Sequence, residues 1–229
     1  MSGPHRILEK QPRPPAPESV DDTSVVPDEQ LQEWLHQAGV DTPGTLAKVL
    51  EIPDESMRNE LLEWILAAWT SEDRAPALAW LRQSLPSMSS GPAEVIIDLI
   101  VGGWAFGNPL EAMAWTSGNL TEPWREIALR NVAGSWALSA PEAMGEWIKS
   151  QPSPQSFWTE ELIQGLIPTN PERAMEWCDS LANPDLAEAT RLNVIQSWLL
   201  SSPAGADAYL KDHPALMPDN LPENPPPPR

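Results

Sequence analysis

The sequence predicts an all-α protein, a right-handed α-solenoid of about five helical hairpins behind an N-terminal helical cap. Two observations support this prediction. Large apolar residues occur in pairs eleven residues apart, and the pairs recur every 30 to 35 residues, which is typical of stacked supersecondary units. In addition, no segment shows the strict alternation of apolar and polar residues that a half-buried β-strand produces.

The paired residues are mostly aromatic, and the first member of each pair is called the register residue. The pairs are Trp69 and Trp80, Trp104 and Trp115, Trp136 and Trp147, Leu166 and Trp177, and Trp198 and Tyr209. In four pairs a proline follows the register residue by five positions: Pro109, Pro141, Pro171 and Pro203. Because proline is favoured at the first position of a helix, each of these prolines predicts the start of the second helix of a hairpin.

The residues around these prolines predict the remaining boundaries. Asn108, Asn170 and Ser202 precede three of the prolines and are good N-cap residue types. Apolar residues at i, i+3, i+4 and i+7 predict a first helix that ends near each register residue. The predicted helix pairs cover 54–70 and 75–84, 92–106 and 109–117, 123–138 and 141–150, 154–167 and 171–181, and 184–200 and 203–211.

The residue directly before the register residue is small in every copy. These residues are Ala68, Gly103, Ser135, Gly165 and Ser197. Glycine inside a helix costs about 1 kcal/mol relative to alanine, so it usually has a packing reason. The pattern therefore predicts points where neighbouring helices approach each other closely.

Proline-rich ends flank the helical region. Residues 1–26 and 214–229 are predicted to be disordered tails, because their composition favours extended polyproline segments that bury little apolar surface; the alternative is that they serve as docking peptides. The helical repeat domain is predicted over 27–213. Within it, residues 27–53 form the cap, with short helices over 28–37 and 45–50, and residues 54–213 form the repeats.

One copy of the repeat, WAFGNPLEAMAW, spans Trp104 to Trp115. It resembles the W-A-x-x-[DN]-P-x-x-A-x-x-W core of tryptophan-rich repeats in bacterial tandem helical-hairpin proteins of the tetratricopeptide-like and HEAT-like class. The resemblance covers about 54–211 and implies a binding scaffold. In the tetratricopeptide consensus the proline ends a unit, whereas here it opens the second helix.

The composition argues against an enzyme, a metal protein and a membrane protein. The chain has one cysteine, Cys178, and three histidines, and it contains neither a G-x-S-x-G nucleophile motif nor a glycine-rich phosphate loop. We therefore predict no catalytic, cofactor-binding or metal-binding residues. Because no apolar run approaches the roughly 20 residues of a membrane span and no secretory signal is evident, the sequence predicts a cytoplasmic protein.

The acidic residues are the main candidates for partner binding. With 33 acidic and 14 basic residues, the formal net charge is −19, which argues against direct binding to nucleic acid. Glu63, Asp98 and Glu160 lie six positions before a register residue, and Glu94, Glu126 and Glu188 lie ten before. These positions share one helix face. The resulting acidic column is either a solvated face or a surface for a basic partner.

The tryptophans at the repeated positions are interpreted as packing residues, although a tryptophan platform for a ligand is the alternative. Trp34, Trp124 and Trp158 fall outside the repeated positions. They are the better candidates for exposed anchors, because tryptophan is enriched among interface hot spots.

Together these features predict a non-enzymatic scaffold or adaptor that presents an acidic surface to a protein partner. The alternative is an acidic inhibitor or regulatory subunit that mimics nucleic-acid charge and occupies an enzyme that binds DNA or RNA.

Overall fold

The computed structural model describes residues 25–152 and 155–216, and over these ranges the protein is helical, without a β-strand. The predicted all-α class is confirmed. Most of the two predicted tails lies outside the described residues. At their inner ends, Val26 is buried, with its backbone N–H donating to the Glu60 carboxylate at 3.1 Å, and Pro214–Leu216 forms a 3-10 turn.

The chain divides into two compact units, at residues 65 and 66. The first unit contains helices α1 (Asp28–Val40) and α2 (Thr42–Leu50), which pack against each other, and the beginning of α3 (Glu55–Glu72). Helix α2 begins earlier than predicted because the Asp41 side chain accepts a hydrogen bond from the Gly44 N–H at 3.0 Å.

The second unit contains the end of α3 and ten further α-helical segments. These are α4 (Arg74–Ser84), α5 (Ser90–Ile97), α6 (Gly103–Ala105), α7 (Pro109–Asn119), α8 (Trp124–Ser139), α9 (Pro141–Ser150), α10 (Ser156–Leu166), α11 (Pro171–Cys178), α12 (Pro184–Ser201) and α13 (Pro203–Asp212). Helix α8 packs against α7 and α10, α10 also packs against α9 and α11, and α12 packs against α11 and α13. Among the described residues no helix is long and apolar enough to span a membrane.

The predicted proline starts are confirmed, because α7, α9, α11 and α13 each have proline at the first position. The predicted capping is correct at Asn170, whose side chain accepts from the Arg173 N–H at 3.1 Å. It is wrong at Asn108 and Ser202, which make no side-chain cap. There the backbone carbonyls alone accept the first helical bonds.

Three of the predicted aromatic pairs join the first and second helices directly. The ring centroids of Trp69 and Trp80 are 5.9 Å apart, those of Trp136 and Trp147 are 5.4 Å apart, and those of Trp198 and Tyr209 are 5.1 Å apart. Trp136 and Trp198 are buried. The packing interpretation of these tryptophans is therefore confirmed at these pairs, which lie within the favourable range for aromatic contacts.

A π-helical turn over Asp98–Gly102 joins α5 to α6. Such a turn accommodates one extra residue, so side chains on its two sides are offset relative to a continuous α-helix. The offset is visible in the packing. A Cβ on Gly102 would lie 3.3 Å from Ser135 Oγ, whereas one on Gly103 would meet nothing within 4 Å. The predicted close approach at Gly103 is thus wrong, and Gly102 makes it instead.

The close approach predicted at Gly165 is confirmed. A Cβ there would lie 2.7 Å from both the Cβ and the carbonyl oxygen of Ala137. Helix α10 therefore touches the backbone of α8 at this point, which only glycine allows without a shift.

Candidate functional site

Asp98 lies where the π-helical turn meets α8. A Cβ on Gly102 would be 2.8 Å from Asp98 Oδ1 and 3.7 Å from Asn131 Cβ, so the carboxylate lies beside α8. The residue as a whole is exposed, yet partial burial of its carboxylate raises the pKa of Asp98 above the ordinary 3.8. No described residue forms a hydrogen bond or an ion pair with it.

Glu161 on α10 provides a second carboxylate of the same kind. Its Oε2 lies 3.7 Å from the Cβ position of Gly134 on α8, and the residue is half-buried. Desolvation raises the pKa of Glu161 above the ordinary 4.5; Arg130 opposes this rise, and Glu160 adds to it. Glu161 also has no hydrogen-bond or ion-pair partner among the described residues.

We call the surface formed by these two carboxylates and the α8 residues between them the polar groove. Its members are Asp98, Gly102, Asn131, Gly134, Ser135 and Glu161. Gly102 is buried and Gly134 is partly exposed, and because neither has a side chain, the two carboxylates lie close to the helix backbone. Asn131 and Ser135 are partly exposed and supply neutral donors and acceptors. The groove therefore suits a cationic group that brings its own hydrogen-bond donors.

The predicted alignment of the acidic column stays a prediction. The π-helical turn places Asp98 beside Asn131, which lies five positions before Trp136. On α8 the corresponding residue six before Trp136 is Arg130, which forms an ion pair with Glu126 at 3.2 Å and lies over the Phe157 ring. On α8, a cation therefore occupies the position six before the register residue.

The other predicted acidic residues lie on helix surfaces. Glu94 and Glu188 are exposed, Glu160 is partly exposed, and Glu63 is exposed on α3 in the first unit. Their role in binding a partner stays a prediction.

The three tryptophans predicted as exposed anchors differ in their environments. Trp34, in the first unit, and Trp124 are partly exposed. Trp158 is only 4% exposed, and its ring lies 4.9 Å from those of Trp147 and Phe157. Its predicted exposure is therefore wrong. The first turn of α10 packs onto α9, and the indole fills the space beside Trp147.

Metal-binding groups and the one cysteine were the remaining candidates for chemistry among the described residues. No group of three or more histidine, cysteine, aspartate and glutamate residues is placed to hold a metal ion within the described ranges. Cys178 is fully buried and its Sγ donates to the Ala174 carbonyl at 3.3 Å. Burial raises the pKa of the Cys178 thiol to about 11, so the thiolate that a nucleophile needs is scarce at neutral pH.

The acidic column predicted from the sequence includes Asp98 but neither Asn131 nor Glu161. Both of these residues lie five positions before a register residue, whereas the members of the column lie six and ten before. The sequence feature that points to this surface is the pair of small residues Gly134-Ser135, directly before the register residue Trp136. Because their side chains are small, neighbouring side chains can approach the backbone of α8 there.

The chain matches no known family model, and no characterised protein or solved structure is significantly similar to it.

Proposed function

We propose that this protein is a non-enzymatic cytoplasmic scaffold, an α-solenoid of five helical hairpins with an N-terminal cap, which binds a protein partner. In this proposal the polar groove receives a lysine or arginine side chain of that partner. The recurring proline starts and the aromatic contacts between paired helices support the repeat architecture. Surfaces of this kind are extended and suited to proteins and peptides.

The observation that carries the proposal is the pair of unpaired, partly desolvated carboxylates. A desolvated charge without a partner costs free energy, and an opposite charge at close range recovers it. Asp98 and Glu161 both have raised pKa values, and no described residue forms an ion pair with either. A cation from a partner would lower both pKa values and gain from the low local dielectric constant.

The alternative function, an acidic mimic of nucleic acid, is favoured by the net charge of −19. A mimic would depend on the total charge of the surface, whereas the scaffold proposal depends on two particular carboxylates. The two functions therefore predict different responses when the same number of charges is removed at different places.

The test compares three full-length proteins as immobilised baits in extracts of the organism that makes the protein. They are the wild type, the groove variant Asp98→Asn/Glu161→Gln, and the control variant Asp207→Asn/Asp212→Asn. The control removes the same charge from exposed positions of α13. We expect a basic partner to be retained by the wild type and the control and lost from the groove variant, as measured by quantitative mass spectrometry.

The other outcomes separate the hypotheses. Equal weakening by both variants, together with loss of binding at high salt, would support the charge mimic, because exposed charges are screened more strongly than desolvated ones. Equal retention by all three baits would exclude the groove as the binding site.

A further inference from the structure

Exposed apolar side chains recur at one position in the second unit, two residues after the register residue. Phe106 is 60% exposed, Leu138 67% and Leu200 89%, and Pro168 is exposed at the same position. Isolated exposed apolar residues are common on protein surfaces. Recurrence at one position of successive helices is not random scatter. We call these four residues the apolar row.

Packing contacts bring the helix ends that carry the apolar row side by side. Gly102 lies against Ser135, and Gly165 lies against Ala137, so the ends of α6, α8 and α10 are neighbours. Between α10 and α12, Pro168 and Trp198 line one cavity of about 420 Å³. The ends of α6, α8 and α10, which carry Phe106, Leu138 and Pro168, therefore lie side by side, and the cavity lies between Pro168 and the end of α12 that carries Leu200.

Unpaired acidic residues accompany the apolar row. Glu111, Glu142 and Glu172 lie in the first turns of α7, α9 and α11, directly after the turns that follow the row. All three are exposed, and within the described ranges none forms an ion pair. Glu172 also lines the cavity beside Pro168. The edge thus combines apolar contact with negative charge.

We propose that the apolar row is the docking site for a basic amphipathic helix of a protein partner. Its apolar residues would contact Phe106, Leu138 and Leu200, and its lysine and arginine residues would reach the three glutamates. The inference rests on the proposed scaffold function but uses a different surface from the polar groove. A second copy of this chain is a poor occupant, because it would bring more negative charge to an edge that is already acidic.

The spacing of the helices supports a helical occupant. Packed helices lie about 8–10 Å apart, and an α-helix advances about 10.5 Å in seven residues. One apolar residue in each heptad of the partner can therefore meet Phe106, Leu138 and Pro168 in turn, because α6 packs against α8 and α8 packs against α10. In an extended strand, side chains on the same face are only about 7 Å apart, so their spacing does not match the spacing of the packed helices.

The cavity between Pro168 and Trp198 gives the occupant an anchor. Pro168, Pro171 and Trp198 supply apolar surface, and Glu172 supplies a carboxylate at the same cavity. An arginine side chain combines a long apolar stem with a charged end that pairs with carboxylates. We therefore assign this cavity to an arginine of the docked helix.

The test uses a fluorescent peptide of about 20 residues with leucine once per heptad on one face and arginine and lysine elsewhere. A second peptide has the same composition in scrambled order, and a third is a proline-rich basic peptide. Fluorescence anisotropy is measured with the full-length wild type, with Leu138→Gln/Leu200→Gln, and with the control Val40→Gln. Val40 is 81% exposed on α1 and lies outside the row.

We expect the amphipathic peptide to bind the wild type and the control at least about tenfold more tightly than the scrambled peptide does, and the row variant to lose this preference. Equal binding of the two peptides, tighter binding of the proline-rich peptide, or an unchanged affinity of the row variant would each overturn the proposal. So would a large loss of thermal stability in the row variant, since that would assign the row to packing.

Two further measurements distinguish helix docking at the apolar row from binding at the polar groove and from self-association. The groove variant Asp98→Asn/Glu161→Gln should bind the peptide like the wild type, so a failure of the groove proposal leaves the row proposal intact. Light scattering of the wild type and of Leu138→Gln/Leu200→Gln measures self-association. A dimer that only the wild type forms would overturn the basic helix in favour of a second copy.

Discussion

At the scale of single residues, the charges of Asp98 and Glu161 reduce the stability of the fold in which they are held. Both pKa values are raised, from 3.8 and 4.5, mainly by desolvation. A folded-state pKa above the unfolded one means that the folded protein binds protons more tightly. The stability that each protonated carboxyl contributes is therefore fully present below its ordinary, unfolded-state pKa and is lost as the pH rises through its folded-state pKa.

We predict that Asp98→Asn/Glu161→Gln is at least as stable as the wild type at neutral pH. The free energy of unfolding, measured by urea denaturation at several values between about pH 4 and pH 7, should favour the amide variant increasingly as the pH rises. A wild type that gained stability over the variant with rising pH would show that the two carboxylates have stabilising partners in the fold.

Trp136 and Trp124 test whether the repeated positions in the sequence identify the tryptophans that stabilise the core. Trp136 is 4% exposed and contacts Trp147, whereas Trp124 is partly exposed. We predict that Trp136→Ala lowers the free energy of unfolding by about 3–5 kcal/mol, the usual cost of removing a large buried ring. Trp124→Ala should cost less. Chemical denaturation measures both, and a larger loss at Trp124 would contradict the assignment of the core.

At the scale of helices, proline and aromatic spacing were sufficient to predict most boundaries. The prolines at 109, 141, 171 and 203 begin helices because, within a helix, their fixed φ and missing N–H are tolerated only in the first turn. The π-helical turn at Asp98–Gly102 was not predictable, because its apolar residues also satisfy an ordinary α-helical pattern. That one-residue offset moved the close approach to Gly102 and placed Asp98 in the groove.

The burial of Trp158 also could not be predicted from the sequence. It lies outside the repeated positions, and its environment depends on how the first turn of α10 packs onto α9. Likewise Glu161 adjoins Glu160, so two acidic residues occupy neighbouring positions and only the packing of α8 shows which one faces Gly134. Tertiary contacts, which leave no local pattern, decide both cases.

The two glycines before register residues allow a matched test of helix packing. Gly165→Ala would bring a Cβ to 2.7 Å from the Ala137 backbone, so α8 and α10 must separate. We predict a net loss of stability, because overpacking typically costs about 1–3 kcal/mol. Gly103→Ala meets nothing within 4 Å and should stabilise the helix by up to about 1 kcal/mol. Equal shifts in melting temperature would contradict this difference.

At the scale of the whole molecule, the net charge of −19 opposes compaction. The described residues form five ion pairs, and in each the acidic side chain is at least 56% exposed. Exposed pairs contribute roughly 0–1 kcal/mol each and are weakened by salt. Repulsion among the remaining acidic residues is also screened by salt, and it involves many more charges.

We therefore predict that the protein becomes more stable as sodium chloride is raised from about 20 mM to about 500 mM, over which the screening length falls several-fold. The melting temperature, followed by circular dichroism, should rise by roughly 2–4 °C for each kcal/mol of repulsion removed. A fall in melting temperature would mean that the ion pairs outweigh the repulsion.

The control for this prediction turns four negative charges into four positive ones by replacing with lysine four exposed residues that form no ion pair with a described residue: Glu63, Glu94, Glu188 and Asp207. Because the net charge is then much smaller, the same salt increase should raise the melting temperature of this variant less than that of the wild type. Surface substitutions usually change stability by only about 0.5 kcal/mol, so the variant should remain folded. An equal response of both proteins would show that salt acts through the apolar core rather than through charge, since exclusion of salt from the surface strengthens burial in both alike.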